Sequence, residues 1–295
     1  MNKVGIYYAF WAKDWEADYI PYIKKIKSLG FDTLEVAVGG LPALPKQRLV
    51  EIAKTAEDNG IELTYCIGFP QDKDMASPDE KIRSEGVEFA KRLLECVNTM
   101  GGRVLGGIIY GSWPCFPGVG IEDKGPWWDR SVKSVSEVSK TAEDYGVLYC
   151  LEIVNRFEQF LLNTVDEGKR FVKDVGSKNV KLLLDSFHMN IEEDFIGPSI
   201  IKAGSDLGHF HIGESNRKVP GRGHMPWDEI ANALAEIRYG GAIVMEPFVK
   251  MGGEVGRDIR VWRDLNANAD EQAMDAEAKF ALDFIRNKLQ NAKIT

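Results

Sequence analysis

Eight short apolar runs recur along the chain, and longer segments with apolar residues at three- and four-residue spacing separate them. Helix-like segments such as Tyr19–Leu29 and Lys46–Asp58 fill the intervals. Buried strands that alternate with amphipathic helices are typical of a parallel sheet. Eight such units predict a closed (β/α)8 TIM barrel that occupies residues 1–295 as one α/β domain. The runs are Val4–Phe10, Thr33–Val38, Ile61–Gly68, Val104–Tyr110, Val147–Val154, Val180–Phe187, Leu207–Ile212 and Ala242–Phe248.

An open, doubly wound sheet is the alternative architecture. Such a sheet binds a nucleotide through a glycine-rich turn after its first strand. Neither GxGxxG nor GxxxxGK[ST] follows any predicted strand, and the glycine-rich run Gly101–Gly107 enters a strand instead of opening a helix. The closed barrel is therefore favoured.

Two predicted helix ends share a sequence. Lys54–Gly60 reads KTAEDNG and Lys140–Gly146 reads KTAEDYG. Each segment is predicted to end a helix at its glycine and to lead directly into a strand. The sequence leaves two explanations open, namely convergence of good helix ends and duplication of a half-unit.

Charge and cysteine content disfavour several classes of protein. The 45 acidic residues outnumber the 37 basic ones and give a net charge of −8, which disfavours binding to nucleic acid. The four cysteines lie far apart without a CxxC pair, so neither a zinc finger nor a disulfide framework is expected. The start MNKVGIYYAF lacks signal-peptide features, and no run approaches the ~18 apolar residues of a membrane span. We therefore expect a cytoplasmic protein without a membrane partner.

Residues that can bind a metal lie at the ends of four successive predicted strands. Glu152, Asp185 and Glu246 close strands five, six and eight, and His211 lies on strand seven. In a (β/α)8 barrel, the carboxyl ends of the strands form the active site. Three carboxylates in such close proximity would repel one another without a cation between them. Oxygen ligands with one imidazole suit Mn²⁺, Mg²⁺ or Co²⁺, so a divalent metal site is predicted here.

The two remaining histidines near these strands have different interpretations. His209 shares a face with His211 and is predicted to be a hydrogen-bonded core histidine. His188 follows Asp185 by three residues, in a position that suits substrate contact better than metal binding.

Charged and aromatic residues also follow the strands. Glu158 and Arg217 are predicted to lie on loops above the metal, or else to be ordinary solvated loop charges. Tyr7, Trp15 and Trp113 belong to or follow strands one and four. Aromatic residues at a barrel mouth form either a wall for a ligand or simple packing, and both readings stay open.

The positions of Glu152 and Glu246 indicate a type of reaction. Their strands are three apart in an eight-stranded ring, so the two carboxylates are expected on opposite sides of the metal. A hydroxy-ketone held there would form a stabilised enediolate when its α-carbon loses a proton. One carboxylate could remove that proton and the other could return one to the opposite face. The outcome of this pairing is epimerisation.

Six runs of the sequence resemble the D-tagatose/D-psicose (allulose) 3-epimerase family, over nearly the whole chain from about Lys3 to beyond residue 285. The resemblance implies a metal-dependent (β/α)8 isomerase that interconverts free ketoses at C3, such as D-fructose and D-psicose or D-tagatose and D-sorbose. It also implies Mn²⁺, with Co²⁺ or Mg²⁺ as substitutes, and a homodimer or homotetramer. The runs are GIYYAFW, LEIVNRFEQ, LLLDSFHMNIEED, GHFHIGESNRKVPGRG, VMEPFVKMGG and VWRDL.

The resemblance also assigns roles to individual residues. It implies that Glu152, Asp185, His211 and Glu246 bind the metal, with Glu152 and Glu246 also acting as the acid/base pair. Contacts to the O1–O3 end of the sugar are implied for Glu158, His188 and Arg217. The wall around C4–C6 is implied to comprise Tyr7, Trp15, Cys66, Ile108, Trp113 and Phe248. Variable loops face this distal end, so the preferred ketose stays open.

Three other functions account less well for these residues. A retaining glycosidase uses two glutamates without a metal, which leaves Asp185 and His211 unexplained. A metal-dependent phosphoesterase or DNA-repair nuclease would need more than four histidines and a basic groove. A sugar-binding protein without catalysis has no need for clustered acids on four strands. Other sugar isomerases remain the main alternative to epimerisation.

Overall fold

The computed structural model describes residues 2–118 and 120–293. Met1, Val119, Ile294 and Thr295 belong to the predicted domain but lie outside the described residues. Eight parallel strands pair in sequential order, and β8 pairs with β1 to close a barrel. This closure confirms the (β/α)8 fold and excludes the open doubly wound sheet. The strands are β1 Val4–Tyr7, β2 Thr33–Ala37, β3 Glu62–Gly68, β4 Val104–Ile108, β5 Leu148–Ile153, β6 Val180–Asp185, β7 Leu207–Ile212 and β8 Ile243–Met245.

Helices surround the barrel and connect its strands. Within the described residues they are α1 Tyr19–Leu29, α2 Lys46–Asp58, α3 Glu80–Thr99, α4 Gly125–Tyr145, α5 Val165–Val175, α6 Ser186–Glu192, α7 Ile196–Ala203, α8 Trp227–Glu236, α9 Gly253–Asp258 and α10 Glu271–Gln290. The predicted segments Tyr19–Leu29 and Lys46–Asp58 coincide with α1 and α2. No helix in the described part of the chain is long and apolar enough to cross a bilayer.

The helix ends follow the capping chemistry of the sequence. The side chains of Asp18, Asp79 and Asp270 accept hydrogen bonds from backbone N–H groups at the starts of α1, α3 and α10. The two KTAED segments end α2 and α4, and the glycines that follow, Gly60 and Gly146, have φ of 64° and 63°. Glycine adopts this left-handed backbone without a Cβ clash, so both predicted helix ends are confirmed.

Several strands are shorter than the apolar runs that predicted them. Tyr8–Phe10 forms a 3₁₀ turn after β1, although the run predicted a strand to Phe10. The run at strand six extends to Phe187, but the Asp185 carboxylate caps α6 by accepting from the Phe187 N–H at 2.9 Å. The eighth strand stops at Met245, one residue before Glu246. Pro247 has no N–H to continue the ladder, which explains the early stop.

Side chains on each strand alternate between the helix layer and the barrel interior. On β2, Leu34 and Val36 belong to the apolar cluster that α1 joins with Ile23 and Ile26. Glu35, between them, contacts histidines of β7 across the barrel. Period-two alternation therefore gives the interior a polar layer directly below the carboxyl ends of the strands.

Candidate active site

The carboxyl ends of β5 to β8 bring the predicted ligand residues together. One side-chain atom each of Glu152, His211 and Glu246 lies within 4.8 Å of the other two. Asp185 joins Glu152 and His188 in an overlapping group of the same span. All five side chains are buried. Glu152 is the second-last residue of β5, and the Glu246 N–H bonds to the Ile212 carbonyl at 3.1 Å although Glu246 lies past β8.

The His211 ring separates two acidic environments. Its Nδ1 lies 3.9 Å from Glu152 Oε1 and 3.7 Å from Glu246 Oε2, and its Nε2 lies 2.6 Å from Glu35 Oε1. Both ring nitrogens are buried without a hydrogen bond of good geometry to any described residue, but Nε2 is in close ion-pair contact with Glu35, whereas Nδ1 has no contact that close. Buried polar atoms are rarely left unpaired, so this nitrogen, directed at two carboxylates, fits a metal ligand.

Arg217 is the permanent cation that contacts this cluster. Its Nη1 donates to Asp185 Oδ2 at 2.7 Å and to Glu246 Oε2 at 3.2 Å, and its guanidinium stacks on the Phe187 ring. When ionised, Glu152, Asp185 and Glu246 carry three negative charges against this single positive charge. One divalent cation would neutralise the remainder, so the donor set and its charge both fit such an ion.

The pKa values of two carboxylates in the cluster, Glu152 and Asp185, shift in opposite directions. Burial and the nearby Glu246 raise the pKa of Glu152 well above its usual value. Burial also acts to raise the pKa of Asp185, but Arg217, followed by His188 and His211, outweighs it and lowers that pKa. The site therefore favours the anionic form of Asp185 and the protonated form of Glu152.

A buried carboxylate organises the loop that carries Arg217. Arg217 has φ of 60°, and its N–H bonds to the Glu214 carbonyl at 2.9 Å. The Glu214 side chain accepts from Trp227 Nε1 at 2.8 Å and from the N–H of Gly221 at 2.7 Å. A left-handed backbone costs a non-glycine residue about 1–2 kcal/mol, so these bonds hold Arg217 in an unfavourable conformation that directs it into the site.

Glu158 and His188 lie in one hydrogen-bonded network with Asn155. Trp113 Nε1 donates to Glu158 Oε2 and Asn155 Nδ2 donates to Glu158 Oε1, both at 2.9 Å. The Asn155 backbone N–H donates to His188 Nδ1 at 3.3 Å. Nδ1 is therefore an acceptor, and Nε2 lies 3.4 Å from Arg217 Nη2 and 3.6 Å from Glu152 Oε1. Burial lowers the pKa of His188 and favours its neutral form.

A cavity of about 790 Å³ opens above the cluster, within the size range of small-molecule sites. Glu152 and Glu246 line its floor, whereas Asp185 and His211 are fully buried beneath. Every residue predicted to contact substrate lines this cavity: Tyr7, Trp15, Cys66, Ile108, Trp113, Glu158, His188, Arg217 and Phe248.

Three aromatic rings form one wall of the cavity. The ring centroids of Tyr7, Trp15 and Phe248 lie 5.9–6.5 Å apart. Trp15 Nε1 donates to Asp258 Oδ2 of α9 at 2.8 Å, which fixes the indole. The start of α9 also binds the loop after β1, because the Val255 N–H donates to the Lys13 carbonyl at 2.9 Å. The wall is thus built from both ends of the chain.

The far side of the cavity is acidic. Asp14, Glu16, Glu254 and Asp258 line it there. Among the described lining residues, Arg217 is the only lysine or arginine. The cavity therefore offers its positive charge next to the carboxylate cluster and negative charge at its outer end.

Known proteins are similar to this chain in sequence and in fold. A family model for the xylose isomerase-like TIM barrel matches residues 23–271. D-psicose 3-epimerase of Ruminiclostridium cellulolyticum is 51% identical over 288 residues, which is 98% of each chain. D-psicose 3-epimerase of Agrobacterium fabrum is 47% identical over 284 residues, 96% of this chain and 98% of the relative. A crystal structure of D-psicose 3-epimerase with D-tagatose from Clostridium cellulolyticum H10 has a TM-score of 0.95 at 52% identity, and the match covers 97% of this chain and 99% of that one.

The chain belongs to the D-psicose 3-epimerase family. It is therefore an isomerase, and the resemblance inferred from its sequence motifs is confirmed. The barrel of this epimerase places all the predicted site residues on the floor and walls of one cavity or directly beneath it.

Three residues of the epimerase site were not predicted from the sequence. Glu35 pairs with His209 and His211, Asn155 connects Glu158 to His188, and Glu214 supports the Arg217 loop. Glu35 interrupts the apolar run TLEVAV just as Glu152 interrupts its own run, so the same sequence pattern marks both acids as candidate site residues. His209, predicted to be a hydrogen-bonded core histidine, is confirmed as one by its 2.7 Å bond to Glu35 Oε2.

Proposed function

We propose that this chain is a divalent-metal-dependent 3-epimerase of free ketoses that works through a cis-enediolate. The proposed substrate pairs are D-fructose with D-psicose and D-tagatose with D-sorbose. The observation that carries the proposal is the position of Glu152 and Glu246. They come from strands three apart, line the floor of one cavity and lie close to His211 beneath it. Two carboxylates on opposite sides of a carbon are what inversion at that carbon requires.

In the proposed reaction the two glutamates exchange protons with C3. One glutamate takes the C3 proton, the electron pair of the C–H bond forms the C2–C3 double bond, and the π pair of the C2 carbonyl moves to O2 to give the enediolate. The other glutamate, which starts protonated, delivers its proton to the opposite face of C3 as the C2–C3 π pair takes up that proton and the C2 carbonyl re-forms. Either glutamate can begin the sequence, because the reverse reaction uses the same two groups in exchanged roles. The raised pKa of Glu152 is consistent with a carboxyl group that carries a proton in one half of the cycle.

Glu152, Asp185, His211 and Glu246 would hold the divalent cation, for which we propose Mn²⁺, with Co²⁺ or Mg²⁺ as substitutes. Bound there, the cation supplies positive charge that stabilises the negative charge of the enediolate. Arg217 adds a second positive charge on the same side and donates to the developing oxyanion. His188 and Glu158 are proposed to orient the O1–O3 end of the sugar through the Asn155 network.

The charges of the cavity favour a free sugar over a sugar phosphate. Four carboxylates line the outer end of the cavity, of which Asp258 is paired with Arg257, and the described lining residues include no lysine or arginine there. A phosphate dianion would be repelled, whereas sugar hydroxyls can donate to carboxylates. The aromatic wall of Tyr7, Trp15 and Phe248 is proposed to pack against C4–C6, with Cys66, Ile108 and Trp113 completing it.

Replacing Arg217 by alanine is expected to raise KM and lower kcat. The guanidinium makes charge-assisted hydrogen bonds, which are worth about 1.5–3 kcal/mol each. Loss of one such bond to the substrate corresponds to a fall in kcat/KM of about 10- to 100-fold. Steady-state kinetics on D-psicose measure the effect, and Lys218→Ala provides a control that removes a cation from the same loop outside the cavity. Unchanged kinetics would make Arg217 a structural ion-pair partner only.

The proposed reaction is tested by deuterium incorporation. Chelator-treated protein is incubated with D-fructose in D₂O, with and without Mn²⁺, and the products are separated and analysed by NMR. The expected result is D-psicose with deuterium at C3, formed only when Mn²⁺ is present. The same assay on D-tagatose and D-ribulose ranks the substrates. Failure to epimerise any of these ketoses with Mn²⁺, Co²⁺ or Mg²⁺ would refute the proposed substrate class.

The remaining expectations concern the protein as a whole. We propose that residues 1–295 form one catalytic domain, that the protein works in the cytoplasm, and that it assembles into homodimers or homotetramers. The family membership supports these proposals. Light scattering of the purified protein measures the assembly directly.

A further inference from the structure

Glu35 is a buried carboxylate between two histidines in the barrel interior. Its Oε1 lies 2.6 Å from His211 Nε2, and its Oε2 lies 2.7 Å from His209 Nε2. The side chain is 0% exposed, as are both imidazoles. Each carboxylate oxygen thus faces a different ring, Oε2 in a hydrogen bond to His209 and Oε1 in ion-pair contact with His211.

The position of Glu35 requires an explanation because burying a charge is costly. An ionised carboxylate inside a barrel loses its hydration, and only strong local partners compensate for that loss. An apolar residue at this position of β2 would continue the run that Leu34 and Val36 begin. The chain nevertheless places an acid here, directly behind the ring that faces the carboxylate cluster.

The contacts of His211 depend on which of its nitrogens carries the proton. A neutral imidazole has one N–H donor and one nitrogen with a free lone pair. Because Nε2 faces Glu35 at 2.6 Å, the proton belongs on Nε2. Nδ1, directed at Glu152 and Glu246, then presents its lone pair to the site.

We propose that Glu35 is a positioning residue that fixes the tautomer and orientation of His211 for metal binding. This inference rests on the proposed function, in which His211 Nδ1 is a metal ligand. Outer carboxylate partners of this type orient metal-bound histidines, and their loss typically weakens metal affinity by about 10- to 100-fold. Glu35 itself does not line the substrate cavity. It lies close to His211 and Cys66, on the opposite side of the His211 ring from Glu152 and Glu246.

His209 completes the arrangement by holding the second oxygen of Glu35. Its Nε2–H donates to Oε2, and its ring lies edge-on to that of His211 with centroids 5.0 Å apart. With Oε2 bound, the carboxylate cannot rotate away from His211. The two histidines of β7 therefore have different roles. His209 holds Glu35 in place, and His211 faces the carboxylate cluster.

The test compares Mn²⁺ binding to wild type, Glu35→Gln and Glu35→Leu, measured by calorimetry on chelator-treated protein. Leucine removes both contacts, and we expect its Kd to rise about 100-fold. Glutamine can accept a hydrogen bond from only one of the two histidines, through its carbonyl oxygen, and we expect its Kd to rise about tenfold. Glu62→Gln is the matched control, because Glu62 pairs with Lys3 at the exposed start of β3, and its Kd should equal that of wild type.

The outcomes separate a positioning role from a merely structural one. A structural ion pair predicts lower melting temperatures for both variants with Kd values within about twofold of wild type, and that result overturns the inference. If the leucine variant does not fold, the glutamine variant decides in the same way. A wild-type protein that binds no Mn²⁺ overturns the proposed metal centre itself and the inference with it, a result distinct from unchanged variants.

The tautomer provides a second, independent readout. The chain has four histidines, so a ¹⁵N-histidine NMR spectrum of the protein with diamagnetic Mg²⁺ is simple to assign. We expect a slowly exchanging proton on His211 Nε2 in wild type and its loss in Glu35→Leu. A wild-type His211 that carries its proton on Nδ1 with Mg²⁺ bound contradicts the inference.

Discussion

Epimerisation is expected to cease when Glu246 is replaced by glutamine. The amide keeps the size of a side chain that is only 6% exposed, so the barrel should fold. It can neither take nor deliver a C3 proton, and general acid–base catalysis contributes about 10²- to 10⁴-fold to rates. We expect kcat to fall by about 10³-fold or more, and Mn²⁺ binding to weaken because a carboxylate ligand has become neutral.

Deuterium exchange in D₂O at saturating Mn²⁺ distinguishes the two glutamates. With one base intact, the Glu246→Gln variant should still exchange the C3 proton of one epimer without inversion. Glu152→Gln, the matched variant, should exchange the C3 proton of the other epimer. Normal activity of either variant, or identical exchange patterns in both, is incompatible with two bases on opposite faces.

Removal of the divalent cation is expected to eliminate activity and to lower the melting temperature by about 5–10 °C. A ligand present at 100 times its Kd stabilises the folded state by about 2.7 kcal/mol. For a chain of this size, each kcal/mol corresponds to about 2–4 °C. The physical cause is the repulsion among Glu152, Asp185 and Glu246, which Arg217 alone offsets only in part.

Differential scanning fluorimetry with and without a chelator measures this shift, and assays after addition of Mn²⁺, Co²⁺ or Mg²⁺ rank the cations. Asp185→Asn is a useful control because it removes one of the proposed ligands, and its cation-dependent shift should be smaller. Full activity of protein shown by elemental analysis to lack divalent metal would contradict the metal dependence.

The periodicity of the sequence predicts the existence and order of the strands better than their ends. Hydrophobic runs reflect burial, and burial continues past the last ladder hydrogen bond. Tyr8 and Phe10 are buried in a 3₁₀ turn, so their apolar character extended the predicted strand beyond Tyr7. Asp185 ends β6 for a different reason, because its side chain caps the helix that follows.

The cluster of Glu152, Asp185, His211 and Glu246 could be predicted from the sequence for two reasons. Acids that interrupt apolar runs are rare, and the carboxyl ends of the strands in a barrel converge on one site. Glu35 carries the same signal but lies in the middle of β2, and its partners are on β7 across the barrel. Which interior layers face each other depends on the stagger of the closed sheet, which local patterns do not reveal. Asn155 and Glu214 lie in loops and act through hydrogen bonds to other side chains and to loop backbone groups, and no sequence periodicity marks such positions.

The aromatic wall also has a consequence for how the protein is made. Trp15 and its partner Asp258 are separated by 243 residues. The pairing of β1 with β8 spans a similar distance, so neither the barrel nor the cavity above it can exist until β8 and α9 have been synthesised. A growing chain that lacks these two elements is therefore expected to have no capacity to capture a substrate.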